Sequence, residues 1–395
     1  MEAYAGQWVE LLLRWVHLIT GIAWIGASFY FVWLDNSLLE PARARDSDEG
    51  VGGELWAVHG GGFYHVQKYR VAPRDLPSPL HWFKWEAYST WLSGFALFVA
   101  MYYLHADTYL IDRSVSAITP AAAVGISVTL LVIGWIVYDQ LCKRLGFARE
   151  RWLWLALCGF IAATAYGLAH VYSGRGLYYQ VGAMIGTWMA ANVLFVIIPS
   201  QRALVAAKQA GRVPDAVHGQ RGKQRSVHNN YFTLPVLFIM ISNHYPMTFA
   251  HAHAWLVLLA IMALAAFVRH FFNLRHRGRT AWWIPATAAV ATLALAVVIA
   301  PSAGRARATP SFAEVERIVS ARCAVCHADA PRQPGFAVAP KDVRLDTAER
   351  IHAQAAAIEA QAVATRAMPL GNLTGMTDDE RGVLGAWIAA GAPLR

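Results

Sequence analysis

The chain has 395 residues, of which 56% are hydrophobic and only 15% are charged. A mean hydropathy of +0.35 is too apolar for an ordinary soluble protein of this size and indicates a lipid bilayer environment. The formal net charge of +9 does not by itself predict nucleic-acid binding, because basic residues in membrane proteins mark cytoplasmic loops. Four cysteines are too few for a disulfide scaffold in a chain of this length.

Eight apolar runs, each bounded by polar or charged residues, predict transmembrane helices over residues 1–300. We expect no cleavable signal peptide, because no basic stretch precedes the first run and that run is too long. The sixth run is short and contains Pro235. The predicted fold class is therefore all-α, a polytopic membrane bundle. The runs are Trp8–Leu34, Phe83–Leu104, Ala121–Cys142, Trp152–His170, Val181–Ile198, Tyr231–Asn243, His251–Val268 and Ala281–Ala300.

The lysines and arginines between these runs predict the orientation. Nineteen of them lie in the first, third, fifth and seventh connections, whereas only Arg113 and Arg175 lie in the others. Because basic residues are retained on the cytoplasmic side, both chain ends should lie outside the cytoplasm. We therefore expect a multi-pass protein of the bacterial inner membrane with a periplasmic C-terminal region.

A second domain follows the eighth run. Residues 301–310, PSAGRARATP, read as a short linker, and residues 311–395 as a small periplasmic domain. Ser311 with Glu314, and Thr377 with Glu380, have the spacing of a capping box at the start of an amphipathic helix. Two such helices flanking a C-x-x-C-H motif predict a class I cytochrome c domain.

The C-x-x-C-H motif, CAVCH, predicts one covalent haem c per chain. Cys323 and Cys326 would form the thioether bonds and His327 would be the proximal iron ligand. Met368, which precedes a proline, is the preferred sixth ligand, and Met376 is the weaker rival. Half of a zinc site is the alternative, but no second cysteine pair follows.

Polar residues within the first apolar run predict a redox function for the bundle, since ionisable groups at membrane depth are costly and usually functional. His17 lies nine residues after Trp8, about 14 Å along a helix and near the middle of the bilayer core. The alternative is that His17 only bonds a neighbouring helix. Arg14 lies on the same helical stripe.

Four histidines near the predicted outer ends of the later apolar runs are candidates for an electron relay. They could line a redox site that faces the cytochrome domain, or they could equally be interfacial residues. These histidines are His170, His244, His251 and His253.

Several longer blocks resemble the bacterial membrane-bound cytochrome c urate oxidases over essentially the whole chain. The blocks are WVHLITGIAWIGASFYFVWLDN, HGGGFYHVQKYRVAP, LHWFKWEAYSTWLSGF, VHNNYFTLPVLFIMISNHYP and CAVCH. The resemblance implies that the membrane domain oxidises urate to 5-hydroxyisourate in purine degradation. It also implies that electrons pass to cytochrome c rather than to oxygen, so that hydrogen peroxide is not made.

Urate is a planar anion, so its site should offer aromatic walls and cationic or amide groups. Arg14 and Lys84 are candidate cations, while His17, His65 or Glu86 could accept a proton. The candidate amide contacts are Asn192, Asn229 and Asn230.

The expected distance between a cytoplasmic-side pocket and a periplasmic haem favours a relay. We therefore expect a non-covalent haem b, with His17 as one ligand and an outer-half histidine as a second. The first run also resembles the opening helix of the bacterial protoporphyrinogen oxidases, which are haem b membrane proteins. The final acceptor would be a soluble cytochrome c or a terminal oxidase, and the oligomeric state stays open. The alternative functions are a membrane-anchored electron carrier and a subunit of a respiratory oxidase complex.

Overall fold

The structure is a computed structural model that describes residues 2–300, 310–334 and 336–394. Most of the predicted linker lies outside the described residues. Helices dominate both parts of the chain, and two strands form one hairpin. The helices of the first part are α1 (Glu2–Ser37), α2 (Ala44–Asp48), α3 (Trp85–Phe98), α4 (Ala106–Tyr109), α5 (Pro120–Leu145), α6 (Glu150–Leu168), α7 (Gly174–Ala191), α8 (Ile198–Gln209), α9 (Ala216–Ser242), α10 (Pro246–Phe249), α11 (Ala254–His276) and α12 (Trp283–Val298).

Among the described residues, five helical segments are long and apolar enough to cross a membrane. By their length and composition, these segments confirm the predicted helical membrane protein. Each of the eight apolar runs falls mainly within helices, but three of those helices are shorter or more polar than the five. The five segments are Tyr4–Ser37, Pro120–Leu145, Glu150–Leu168, Gly174–Gln209 and Ala254–His276.

The segment Gly174–Gln209 occupies the centre of the bundle. In its most apolar 18-residue stretch, 61% of the residues are buried, whereas the share is 28% in the corresponding stretches of α5, α6 and α11. It begins where the Ser173 hydroxyl caps the Gly176 N–H at 3.0 Å, and α3, α5, α6, α9 and α11 pack around it. A π-helical stretch, Asn192–Ile197, joins α7 to α8. Such stretches are often found at functional sites.

A β-hairpin between α1 and α3 is the one departure from the predicted all-α class among the described residues. Strands β1 (Val51–His59) and β2 (Gly62–Tyr69) pair antiparallel, with Trp56 opposite His65. Gly60 and Gly61 make the turn with φ values of +57° and +80°, a conformation that glycine adopts without steric cost. These glycines stand in the block HGGGFYHVQKYRVAP, but the apolar runs did not predict a hairpin there.

In its described residues, the C-terminal part contains four α-helices and its own apolar core. Phe312 and Trp387 meet in that core with ring centroids 6.0 Å apart. The Thr377–Glu380 capping box is complete, whereas the Ser311 hydroxyl accepts from the Glu314 N–H without the reciprocal bond. The helices are α13 (Phe312–Arg322), α14 (Ala348–Ala353), α15 (Ala355–Ile358) and α16 (Asp378–Ala389).

Candidate functional site

Polar side chains from α5, α9 and the π-helical stretch meet inside the bundle. The Tyr138 hydroxyl is hydrogen-bonded to His228 Nδ1 at 2.8 Å, and Asn192 Nδ2 donates to the same hydroxyl at 2.9 Å. Asn192 Nδ2 also donates to Asn229 Oδ1 at 2.9 Å. Tyr138, Asn192 and His228 are fully buried. We call these four residues, with Asp139 and Arg225, the first polar cluster.

Arg225 links the charged and neutral members of the first polar cluster. Its Nη2 donates to Asp139 Oδ1 at 2.8 Å, and its Nη1 donates to Asn192 Oδ1 at 3.3 Å. Lys143 also pairs with Asp139, at 2.6 Å. Two cations therefore share one carboxylate, which leaves a positive local balance that favours an anionic ligand.

Two buried nitrogens at this cluster have no hydrogen-bond partner among the described residues. They are Nε2 of His228 and Nε1 of Trp188. Trp188 stacks on Tyr138, with centroids 4.8 Å apart, and Trp154 lies edge-on to His228 at 4.9 Å. Because buried polar atoms are normally paired, these nitrogens mark a place where a polar ligand or water would complete the bonding.

A second polar cluster lies on the other side of α9 and consists of Asn230, Arg269 and Asn273. Arg269 Nε donates to Asn230 Oδ1 at 2.5 Å, and Asn230 Nδ2 donates to Asn273 Oδ1 at 3.0 Å. The Arg269 guanidinium lies 3.8 Å from the Phe29 ring centroid, and the residue is only 3% exposed. Its Nη2 is buried without a partner, and no described carboxylate pairs with it. A buried guanidinium with free donors is suited to bind a planar anion.

The two candidate residues on α1 face α3. His17 Nδ1 lies 3.0 Å from the Thr90 carbonyl oxygen and 3.3 Å from Ser93 Oγ. Its ring packs so closely on α3 that a Cβ at Gly94 would lie 2.7 Å from His17 Cε1. Arg14 pairs with Glu10 at 3.2 Å and also donates to Met101 Sδ at 3.3 Å, just after α3, while its side chain stays about half exposed.

The other three candidates for the urate site lie on two segments, the hairpin and the start of α3. His65 is on the hairpin, where it contacts Glu54 at 2.9 Å and stacks on Trp56. Lys84 precedes α3 and lies over the Trp85 ring, whereas Glu86 in the first turn has a buried, unpartnered Oε2. In the described part of the chain, no side chain of the five candidates pairs with another of the five.

The four relay candidates lie at the ends of helices. His170, His244 and His253 are exposed, and His251 is half-buried. His170 Nδ1 bonds the Tyr166 carbonyl oxygen at 2.9 Å, and the His251 and His253 rings lie 5.8 Å apart. His228, which the sequence analysis did not select, is the histidine buried most deeply in the polar interior.

The C-x-x-C-H residues form a compact turn after α13. The backbone N–H groups of Cys326 and His327 both donate to the Cys323 carbonyl, at 3.1 and 2.9 Å. His327 Nδ1 lies 2.9 Å from the Val343 carbonyl oxygen, which leaves Nε2 free to bind a metal. A ligating histidine usually donates its other ring N–H in this way, so His327 and the two cysteines are a donor set that a covalently attached haem would fit.

The Met368 segment belongs to the same small core. Met368 and Cys323 both pack against it, and Met376 is buried within it. Arg381 Nη1 donates to the Met368 carbonyl at 2.7 Å and also to the Ala362 carbonyl, which fixes this segment against α16. Burial raises the pKa of the Cys323 thiol to about 11, so the sulfur is a neutral thiol at pH 7.

These features define a helical membrane protein with buried, cation-rich polar clusters. The urate oxidase N-terminal family model matches residues 3–300. The chain belongs to this urate oxidase-related family of oxidoreductases. No curated protein and no solved structure matches the chain.

Proposed function

We propose that the protein oxidises urate to 5-hydroxyisourate in its membrane domain and delivers the electrons to a haem c in its C-terminal domain. The observation that carries this proposal is the junction of two features in one chain. The urate oxidase family match covers residues 3–300, and a C-x-x-C-H turn with a free histidine Nε2 follows it. An electron carrier without a substrate would not need the buried polar clusters, which are costly in a bilayer.

Arg269 is the best-placed cation for binding the urate anion. Its guanidinium is buried, lacks an acidic partner in the described structure and lies on an aromatic ring. Bidentate donation to urate would supply the bonds that Nη2 lacks. The neighbouring Asn230 and Asn273 amides then hold the guanidinium plane in one orientation.

The reaction balances as urate plus water giving 5-hydroxyisourate, two electrons and two protons. A group must therefore accept protons while the electrons leave. We propose that His228 takes up these protons by way of water, since it lies across α9 from Arg269; its Nε2 is unpartnered in the described structure, and its Nδ1 is hydrogen-bonded to the Tyr138 hydroxyl. Nδ1 can donate to or accept from the Tyr138 hydroxyl, and in the tautomer with its hydrogen on Nδ1 the Nε2 atom has a lone pair that would accept a proton.

The C-terminal domain would receive the electrons. Cys323 and Cys326 would hold a haem covalently and His327 and Met368 would ligate its iron, and the bound group would supply one-electron acceptance at a raised potential. A haem b bound through His17 would be a second centre, and its test is separate. Alkaline pyridine spectra of the purified protein would show haem c alone or haem c with haem b, and haem c alone would exclude the second centre.

The proposal places the C-terminal domain in the periplasm, from which a soluble cytochrome c or a terminal oxidase would remove the electrons. Purified protein should oxidise urate with a cytochrome c acceptor and no hydrogen peroxide. Peroxide formed in proportion to urate consumed would contradict the proposed electron route. Quinol or oxygen turnover without urate turnover would instead indicate a respiratory subunit.

A further inference from the structure

Among the described residues, a short turn of the C-terminal domain contacts the membrane domain. Leu370–Asn372 contacts α4, the small helix that follows the α3 segment. Gly371 lies at the contact with φ of +57°. A Cβ at this position would lie 2.5 Å from the Thr108 carbonyl oxygen and 3.3 Å from that of Ile111. The backbone conformation therefore favours glycine, and the close approach of the other domain leaves no room for a Cβ.

The docked turn adjoins the candidate haem ligand. Met368 is three residues before Gly371, and Arg381 holds its carbonyl at 2.7 Å. The Asp112 carboxylate, which follows α4, interacts electrostatically with Arg381. Met368 therefore lies close in the chain to the turn that contacts the membrane bundle.

Aromatic rings lie in contact directly behind this surface. Tyr109 of α4 is 5.9 Å from Tyr102, measured between ring centroids. Tyr102 is in turn 4.9 Å from Tyr179 and 5.1 Å from Phe98, on which it stacks. The Arg175 guanidinium lies over the Tyr109 ring at 5.6 Å.

The contacting aromatic rings continue along α3 into the bundle. Tyr103 lies 5.1 Å from Phe98 and 6.3 Å from Phe95, and Phe95 stacks on Trp91 at 5.2 Å. Trp91 Nε1 donates to Thr187 Oγ1 at 3.0 Å. The next residue after Thr187 is Trp188, which stacks on Tyr138 of the first polar cluster.

We propose that α4 is a docking cradle for the Gly371 turn, and that the rings between Trp91 and Tyr109 conduct electrons from the bundle to the docked domain. This proposal rests on the proposed function. The rings form a closely packed medium for electron tunnelling and are not themselves oxidised, because haem c is too weak an oxidant for tyrosine, tryptophan or phenylalanine. Tunnelling weakens steeply with distance, so a path of closely packed rings favours transfer. Two electrons leave per urate, and the rings undergo no net change.

A matched pair of glycine variants tests the docking. Gly371→Asn and Gly375→Asn both place asparagine at a positive φ, which asparagine tolerates. At Gly375 the nearest neighbour of a new Cβ is the end of the Arg322 side chain at 3.8 Å, so only the first substitution meets the membrane domain. Anaerobic stopped-flow mixing with urate should show haem reduction slowed about tenfold or more in Gly371→Asn, with Gly375→Asn near wild type.

Two further measurements separate docking from folding and from function. Hydrogen exchange of the backbone amides in residues 104–112 should be faster in Gly371→Asn than in Gly375→Asn, while the haem spectrum and direct reduction by ascorbate stay unchanged. Tyr109→Leu should slow haem reduction by urate but not by ascorbate, whereas Tyr166→Leu, at an exposed position, should slow neither.

Equal rates and equal exchange in the glycine pair would overturn the docking proposal even if urate still reduced the haem. An unslowed Tyr109→Leu would overturn the route, whereas absence of haem c or of any reduction by urate would overturn the proposed function itself.

Discussion

Replacing Arg269 with lysine keeps the positive charge in the second polar cluster but removes the planar fork of donors. In the structure the guanidinium is 3% exposed, its Nε is bonded to Asn230, and its Nη2 is unpartnered. If Nη2 and a second N–H bind urate, Arg269→Lys loses charge-assisted hydrogen bonds of about 1.5–3 kcal/mol. This loss corresponds to a decrease of roughly 10- to 150-fold in kcat/KM.

The assay is the initial rate of cytochrome c reduction over a series of urate concentrations. Urate should also raise the melting temperature of the wild-type protein, and much less that of Arg269→Lys, because ligand binding stabilises the folded state. Arg277→Lys is the matched control, since Arg277 is at the same end of α11 but is exposed and bonded to Asn36. A folded Arg269→Lys protein with kcat/KM within about twofold of the Arg277→Lys control would refute the assignment.

Three further predictions concern proton transfer, haem attachment and the stability of the C-terminal domain. His228→Gln should lower kcat for urate by about 10²- to 10⁴-fold with little change in haem content, and near-normal turnover would exclude His228 as the proton acceptor. Cys326→Ala should weaken covalent haem attachment, measured as haem that acidified organic solvent extracts; haem retained as in wild type would contradict the thioether assignment. Glu380→Gln should destabilise the C-terminal domain by about 1 kcal/mol at pH 7, measured by thermal melting of the haem spectrum. Burial raises the pKa of the Glu380 carboxyl, but hydrogen bonds from the Thr377 N–H and the Arg322 guanidinium outweigh burial and lower the pKa overall. The stability that the carboxylate contributes should therefore be present above about pH 4 and be lost as the pH falls through the lowered folded-state pKa. Equal melting temperatures of the wild-type and Glu380→Gln proteins at pH 7 would exclude a stabilising role for the Glu380 carboxylate.

The sequence predicted most helices because long apolar runs and caps are local signals. The Thr377 capping box and the helices at the eight apolar runs belong to this class. The hairpin was not predicted because its signal is a two-glycine turn within a stretch that contains no long apolar run. Its register, with Trp56 opposite His65, depends on that turn.

The polar clusters could not be predicted from local signals. Arg225 and Arg269 were counted as loop cations because they lie just beyond apolar runs. In the structure α9 and α11 extend past those runs, and both guanidinium groups turn into the bundle. Asn192 and Asn229 were selected for their chemistry, but their hydrogen bond depends on the packing of α9 against the stretch after α7. His228 stood in a quoted block, yet no spacing rule distinguished it from other histidines.

The central claim is that urate oxidation in the bundle supplies electrons to a haem in the same chain. The most direct test is a single-turnover experiment with purified full-length protein, held oxidised and free of oxygen and external acceptors. A limiting amount of urate should reduce two haem c groups for each 5-hydroxyisourate formed. Urate consumed without haem c reduction, or haem c left oxidised in an intact preparation that ascorbate still reduces, would contradict the claim.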